Sequence, residues 1–200
     1  TAHIVPNHFI RVIDRLDTLQ DVIASTPTVI ASEAKQPQRR EDSRLPLGTG
    51  LIGCSMIVSK AERIPVECIV RGYLAGSAWA EYKETGVVNN IRLPPGMEEG
   101  QELPQPLFTP TTKSETEHDR PLTSRDIEDL EGMSATRLRR SNLNLIKELE
   151  EKSLLIYRYA RDYAKSKGII IADTKPEFGL INSELVLIDE LLTPDSCRFW

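Results

Sequence analysis

Residues Asp173–Gly179 read DTKPEFG and follow directly on the apolar run GIIIA at residues 168–172. In an extended chain alternate side chains share a face. Asp173, Lys175 and Glu177 would then line one side of a strand, with Thr174, Pro176 and Phe178 on the other. Downstream, INSELVLIDELL (residues 181–192) reads as a returning strand after a tight turn near Asn182. The turn decides which acids meet. A three-residue loop, Asn182 to Glu184, pairs Ile181 with Leu185 and sets Glu177 opposite Asp189. A two-residue loop at Asn182 and Ser183 pairs Glu177 with Ile188 and turns Asp189 to the other face, since a one-residue slip reverses every side chain.

Two facing carboxylates about 4 Å apart repel by a few kcal/mol at an effective dielectric near 20. Lys175 offsets part of that, and a divalent cation can offset all of it. Mg²⁺ takes oxygen ligands, commonly one or two carboxylates plus substrate phosphates. An exposed salt-bridge ladder is the plainer reading of an alternating charged strand. The flanks GIIIA and ELVLI are too apolar for a fully wet ribbon, and they favour a metal–nucleotide site.

A second cluster lies in IVRGYLAGS, residues 69–77. Ser77 is placed to cap the helix AWAEYKET, which Gly86 ends. A helix N-terminus suits phosphate, and Arg71 offers a planar fork for it. Arg198, just past the ribbon, is a candidate for the same pocket. Lys113, His118 and Asp119 fall in a long Pro-rich stretch, too irregular for a long helix or a central strand. Loops of that length are often working parts.

The rest of the chain sets bounds. Its 200 residues are 40% hydrophobic and 28% charged, ordinary for a globular protein. The net charge of −5 argues against nucleic acid or an anionic membrane as partner. Three widely spaced cysteines, without a CxxC pair, fit reduced cytoplasmic thiols. Residues 24–50 are polar and broken by Pro and Gly, and read as a solvated insertion. Thr123 and Asp126 resemble a capping box. A helix is expected over residues 142–167, with Leu145, Leu149, Ile156, Ala160 and Tyr163 as its apolar stripe and Gly168 as its C-cap. The chain opens on Thr1 without an initiator Met and closes on Trp200 while the pattern is still structured, which reads as a fragment lacking both ends.

IPVECIVRGYLAGS, LFTPTTKSETEHD, DTKPEFG and LIDELLTPDSCRFW occur in the order and at about the spacing of the SAICAR synthetase (phosphoribosylaminoimidazole-succinocarboxamide synthase) family, which this sequence resembles. The resemblance implies an ATP-dependent ligase of de novo purine synthesis, joining L-aspartate to carboxyaminoimidazole ribonucleotide with ATP and Mg²⁺. It implies Glu177 and Asp189 as Mg²⁺–ATP ligands and Lys113 and Lys175 as phosphate and substrate lysines. Asp173 is expected to face the imidazole ribonucleotide. Arg71, Ser77 and Arg198 are expected at its phosphate and ribose, and Glu67 at its carboxylate through a metal. Ala61 and Arg63 are expected to hold adenine by backbone groups against Val58, while His118 and Asp119 match a signature of unassigned role.

The expected fold is α+β. Residues 1–63 form an incomplete, antiparallel β-rich subdomain with the adenine hinge, residues 64–200 form an α/β subdomain, and the ATP cleft lies between them. The chain departs from the family pattern at Ser59, where lysine is common, and at HDRPLT. It also lacks the glycine-rich, lysine-bearing phosphate cover expected ahead of Thr1. That absence motivates an alternative reading as a truncated, non-catalytic nucleotide- or ribonucleotide-binding module. No feature of the sequence sets an oligomeric state.

Overall fold

A computed structural model describes residues 9–12, 56–113, 120–122, 126, 145–189 and 191–200. The expected capping residue Thr123, the 24–50 insertion, His118 and Asp119 lie outside them.

Two four-stranded antiparallel sheets organise the described residues. Their strands are β3 (Glu62–Glu67), β4 (Val70–Tyr73), β7 (Glu102–Phe108), β8 (Thr111–Thr112), β9 (Ile171–Thr174), β10 (Glu177–Ile181), β11 (Glu184–Asp189) and β12 (Arg198–Phe199). The first sheet runs β11-β10-β3-β8 and the second β12-β9-β4-β7. Two small ribbons complete the β structure: β1 (Phe9–Val12) with β2 (Met56–Val58), and β5 (Val87–Val88) with β6 (Ile91–Arg92).

Three segments cross from one sheet to the other side by side. They are β3 to β4 at residues 68–69, β7 to β8 at 109–110 and β9 to β10 at 175–176. The Cys68 N–H donates to Pro176 O at 3.2 Å, and the Thr109 N–H to Ile69 O at 2.8 Å, so the crossings are tied together. Neither IPVECIVRGYL nor DTKPEFG is therefore one continuous strand. Each breaks at its middle, and the proline in the second is a natural breakpoint because it cannot donate to a ladder.

The ribbon after DTKPEFG resolves the open question of register. Asn182 and Ser183 form a two-residue loop, both at positive φ (50° and 67°), and Ile181 pairs with Glu184. Phe178 pairs with Leu187 as that loop requires. The next pair, however, is Glu177 with Asp189, so Ile188 is an extra residue and a bulge sets the acids opposite each other.

The Pro-rich stretch also holds a strand. β7 carries Pro104 and Pro106, yet it lies at the sheet edge, where a missing N–H costs little. Helix α1 (Ser77–Thr85) ends at Gly86 in the left-handed conformation, its N–H on Tyr82 O at 2.7 Å. The expected N-cap is corrected. Gly76 holds that position and Ser77 is the first helical residue, its hydroxyl turned to Arg71 instead of a backbone amide.

Helix α2 (Leu145–Lys165) packs on β9, β7 and β4. Its inward residues are Leu145, Leu149, Ser153, Ile156, Tyr157, Ala160 and Ala164. Tyr163 was expected in this stripe but is 63% exposed, and the buried tyrosine is Tyr157. These side chains join Ile64, Val66, Val70, Ile171, Phe178, Leu185 and Leu187 in one core. Each large apolar side chain fully buried there contributes about 1.5–3 kcal/mol. A second cluster, including Leu74, Ala78, Tyr82, Val88 and Leu103, fixes α1 on the sheet below the 87–97 loop. The antiparallel sheets and packed helices match the α+β expectation. Among the described residues no helix is long and apolar enough to cross a membrane.

Candidate functional site

The crossings bring two polar rows to the junction of the sheets. In the first sheet Glu177 is the cross-strand partner of both Asp189 and Glu67, and Glu67 is the partner of Thr111. Three carboxylates thus stand side by side on β11, β10 and β3. Glu177 and Glu67 are buried, 3% and 6% exposed, while Asp189 is exposed. Two lysines compensate the buried pair: Lys113 Nζ donates to Glu177 Oε1, and Lys175 Nζ donates to Glu67 Oε1 at 2.9 Å. Thr111 Oγ1 lies 3.4 Å from Glu67 Oε2.

In the second sheet Asp173 is the cross-strand partner of Arg198 on one side and Arg71 on the other. Asp173 Oδ1 accepts from the Arg198 backbone N–H at 3.2 Å and Oδ2 accepts from its guanidinium. Arg71 is buried and spends its fork on three partners. Nε donates to Thr109 Oγ1 and Nη2 to Ser77 Oγ, each at 3.0 Å, and Nη1 lies 3.9 Å from Asp173 Oδ2. Burial pulls this guanidinium below its ordinary pKa, the Asp173 carboxylate opposes that, and Arg198 adds to it.

A cavity of about 400 Å³ opens over this row, lined by Arg71, Ser77, Asp173, Lys175, Asp195 and Arg198 among others. Three of these side chains are cationic and two acidic, so an acidic chain presents a locally positive hollow. Its volume falls in the range of small-molecule sites. Gly76 shapes one wall: its φ is +58°, and a β-carbon there would meet Arg198 Nη2 at 2.4 Å. Lys175 belongs to both rows, lining the cavity while reaching Glu67.

The residues expected at adenine form a separate group. Val58 is buried, Ala61 half-buried and Arg63 exposed. On β3, β8 pairs with Val66 and Glu67, so the Glu62–Ile64 end of that strand extends beyond it. Between the rows, burial pushes the Cys68 thiol up to about 12, with the Glu177 and Glu67 carboxylates adding to the rise and Ser153 opposing it.

Of the expected site residues, Glu67, Arg71, Ser77, Lys113, Asp173, Lys175, Glu177, Asp189 and Arg198 come together along the two rows. Thr109 was missed, although it is 5% exposed and fixes Arg71. Its only signal is a threonine at a strand-ending Thr-Pro step. Cys197 was missed too; it lines the cavity and its Sγ lies 3.2 Å from Thr174 Oγ1.

The donors suit a hard cation. They are carboxylate oxygens without thiolate or imidazole, and the buried Glu177–Glu67 pair is held by Lys113 and Lys175, with the Thr111 hydroxyl on Glu67. Among the described residues no group of three or more His, Cys, Asp or Glu side chains is placed to hold a metal ion by itself.

Comparison with known proteins agrees with the geometry. The family model described as SAICAR synthetase matches residues 1–200. The phosphoribosylaminoimidazole-succinocarboxamide synthase of Thermodesulfovibrio yellowstonii is 49% identical over 150 residues, which is 75% of this chain and 48% of that protein. That of Syntrophotalea carbinolica is 52% identical over 151 residues, again 48% of its length. The chain thus spans about half the length of these curated relatives. Among solved structures, SAICAR-synthase from Saccharomyces cerevisiae, complexed with SAICAR, superposes with a TM-score of 0.69 at 37% identity, covering 100% of this chain and 57% of that one. A SAICAR synthetase in complex with ADP superposes at 0.56 with 32% identity, covering 72% and 53%. Matched along its whole length by the family model, and built on the same sheets as these structures, the chain belongs to the SAICAR synthetase family.

Proposed function

We propose that the protein containing this chain is an ATP-dependent ligase that joins L-aspartate to carboxyaminoimidazole ribonucleotide, giving SAICAR in cytoplasmic purine synthesis. The observation that carries this reading is Lys175, which lines the positive cavity and pairs with Glu67 in the carboxylate row. An anionic ribonucleotide in the cavity would lie beside the row that faces a nucleotide. Relatives titled as complexes with SAICAR and with ADP support both ligands. They also disfavour a non-catalytic module.

In this reading Arg71, Ser77 and Arg198 hold the ribonucleotide phosphate and ribose, and Asp173 orients both arginines. Lys175 neutralises the substrate carboxylate and Lys113 the nucleotide phosphates, which lowers the electrostatic cost of bringing two anions together. Backbone groups of Ala61 and Arg63 take adenine against Val58. Glu177 and Asp189 would hold Mg²⁺, with Glu67 behind them. When bound, the cation would supply charge neutralisation at the transferring phosphoryl group. His118 and Asp119 match a signature of the family and carry no assigned role in this reading. The free thiols Cys68 and Cys197 accord with a reducing compartment.

The test is direct. Full-length protein supplied with ATP, Mg²⁺, L-aspartate and the ribonucleotide is expected to release ADP only when all four are present. Absence of ADP release from folded full-length protein would overturn the assignment.

A further inference from the structure

Gly179 sits two residues after Glu177 in β10, so the two positions share a sheet face. Their separation along the strand is about 7 Å. A β-carbon at residue 179 would lie 2.9 Å from the Glu62 carbonyl oxygen, 3.0 Å from Ala61 Cβ and 3.1 Å from Ile188 Cγ2. The first atom belongs to the opening residue of β3 and the second to the link between β2 and β3. The third belongs to the bulged residue that brings Asp189 opposite Glu177. Gly179 is not among the glycines at positive φ. The backbone would accept another residue here, and crowding is what forbids one.

Each contact restricts a different part of the site. The Glu62 oxygen is main chain and cannot rotate away, so a side chain at 179 must push the start of β3, with Ala61 before it, away from β10. Ile188 Cγ2 is a branch methyl close to the backbone, so it yields by a change of χ1 or by a shift of the bulge that sets where Asp189 points. Glycine lets both elements close on one spot of β10, two residues from Glu177.

We propose that Gly179 is a positioning residue for bound nucleotide, its missing side chain fixing the spacing between the adenine-holding link and the Glu177–Asp189 pair. This rests on the ligase reading. It concerns the ATP side alone, because the positive cavity is built on the other sheet and has no lining residue from β10, β3 or the 59–61 link.

Calorimetry on the full-length protein tests this with Mg²⁺–ATP and with carboxyaminoimidazole ribonucleotide, each titrated alone. Gly179→Ala is expected to weaken Mg²⁺–ATP about tenfold, as overpacking of a close contact does, and to leave ribonucleotide affinity unchanged. Removing one of the crowded partners in Gly179→Ala/Ala61→Gly is expected to recover part of the loss. Should Gly179→Ala not fold, Ala61→Val crowds the same spot from the link and is expected to show the same selective loss. Unchanged ATP affinity in a folded variant, or equal weakening of both ligands, overturns the proposal. Wild-type protein that binds the ribonucleotide but no ATP overturns the ligase reading and this inference together; wild-type binding with an indifferent Gly179→Ala overturns the inference alone.

Discussion

Glu177 and Asp189 are cross-strand partners in β10 and β11 because Ile188 is bulged out of register between Leu187 and Asp189. Without that extra residue, the two-residue turn would set Glu177 opposite Ile188 and send the Asp189 side chain to the far face. A turn that favours one register and a bulge that restores the other place two acids where neither device alone would.

The turn that sets this register is itself improvable. Ser183 sits at φ 67°, in the left-handed region that costs a non-glycine residue energy. Ser183→Gly is expected to stabilise the protein by about 0.5–1 kcal/mol, read as a raised denaturant midpoint at constant slope. A lowered midpoint would show that the Ser183 side chain makes a compensating contact.

Arg71 divides its fork between Thr109, Ser77 and Asp173, a geometry that a lysine ammonium cannot reproduce. Arg71→Lys is expected to weaken ribonucleotide binding by about tenfold or more while Mg²⁺–ATP affinity stays unchanged. Titration of each ligand checks it. Equal losses for both would mean that Arg71 supports the junction of the sheets instead of the cavity.

Tyr157 ties α2 to the second sheet by donating to Ile171 O at 2.8 Å. Gly72 lies beneath it, and a β-carbon there would fall 1.7 Å from the Tyr157 hydroxyl oxygen. Gly72→Ala is expected to destabilise the fold by about 1–3 kcal/mol. In Tyr157→Phe, which lacks that oxygen, the added cost of Gly72→Ala is expected to be smaller. A double-mutant cycle measures the difference, and strict additivity would contradict the contact.

The same tyrosine predicts a pH dependence. Burial raises its phenol above the ordinary 10.0. Below that pH both folded and unfolded chains keep the proton. Above it the unfolded chain loses the proton while the folded chain retains it, so stability falls as pH rises, by up to about 1.4 kcal/mol per unit. Chemical denaturation from pH 9 to 11 is expected to show a shallower decline in Tyr157→Phe than in wild type. Parallel declines would refute the assignment.

Much of the fold was legible because it is local. The spacing of Leu145, Leu149, Ile156 and Ala160 marks α2, Gly86 and Gly168 mark helix ends, and the Ile- and Val-rich runs mark strands. What escaped was set by partners far away in sequence. Nothing local announces that Glu67 and Val70 belong to different sheets, since that break exists only because the 109–110 and 175–176 segments bend beside it. The bulge at Ile188 is likewise a response to packing. Tyr163 and Tyr157 are alike to a periodicity count, and only the sheet beneath the helix distinguishes them. Among site residues the charged ones stood out, because alternating acids and bases beside apolar runs require compensation. Thr109 did not, since a hydroxyl that orients an arginine resembles any surface threonine.

In the proposed ligase the Glu177–Asp189 pair holds the cation that accompanies ATP. Paramagnetic resonance of Mn²⁺ with full-length protein and ATP measures this directly. Asp189→Asn and Glu177→Gln are each expected to weaken Mn²⁺ retention in the ATP complex by about tenfold or more, whereas Arg198→Gln leaves it unchanged. Wild-type Mn²⁺ affinity in both acid variants, with ATP still bound, would contradict the account.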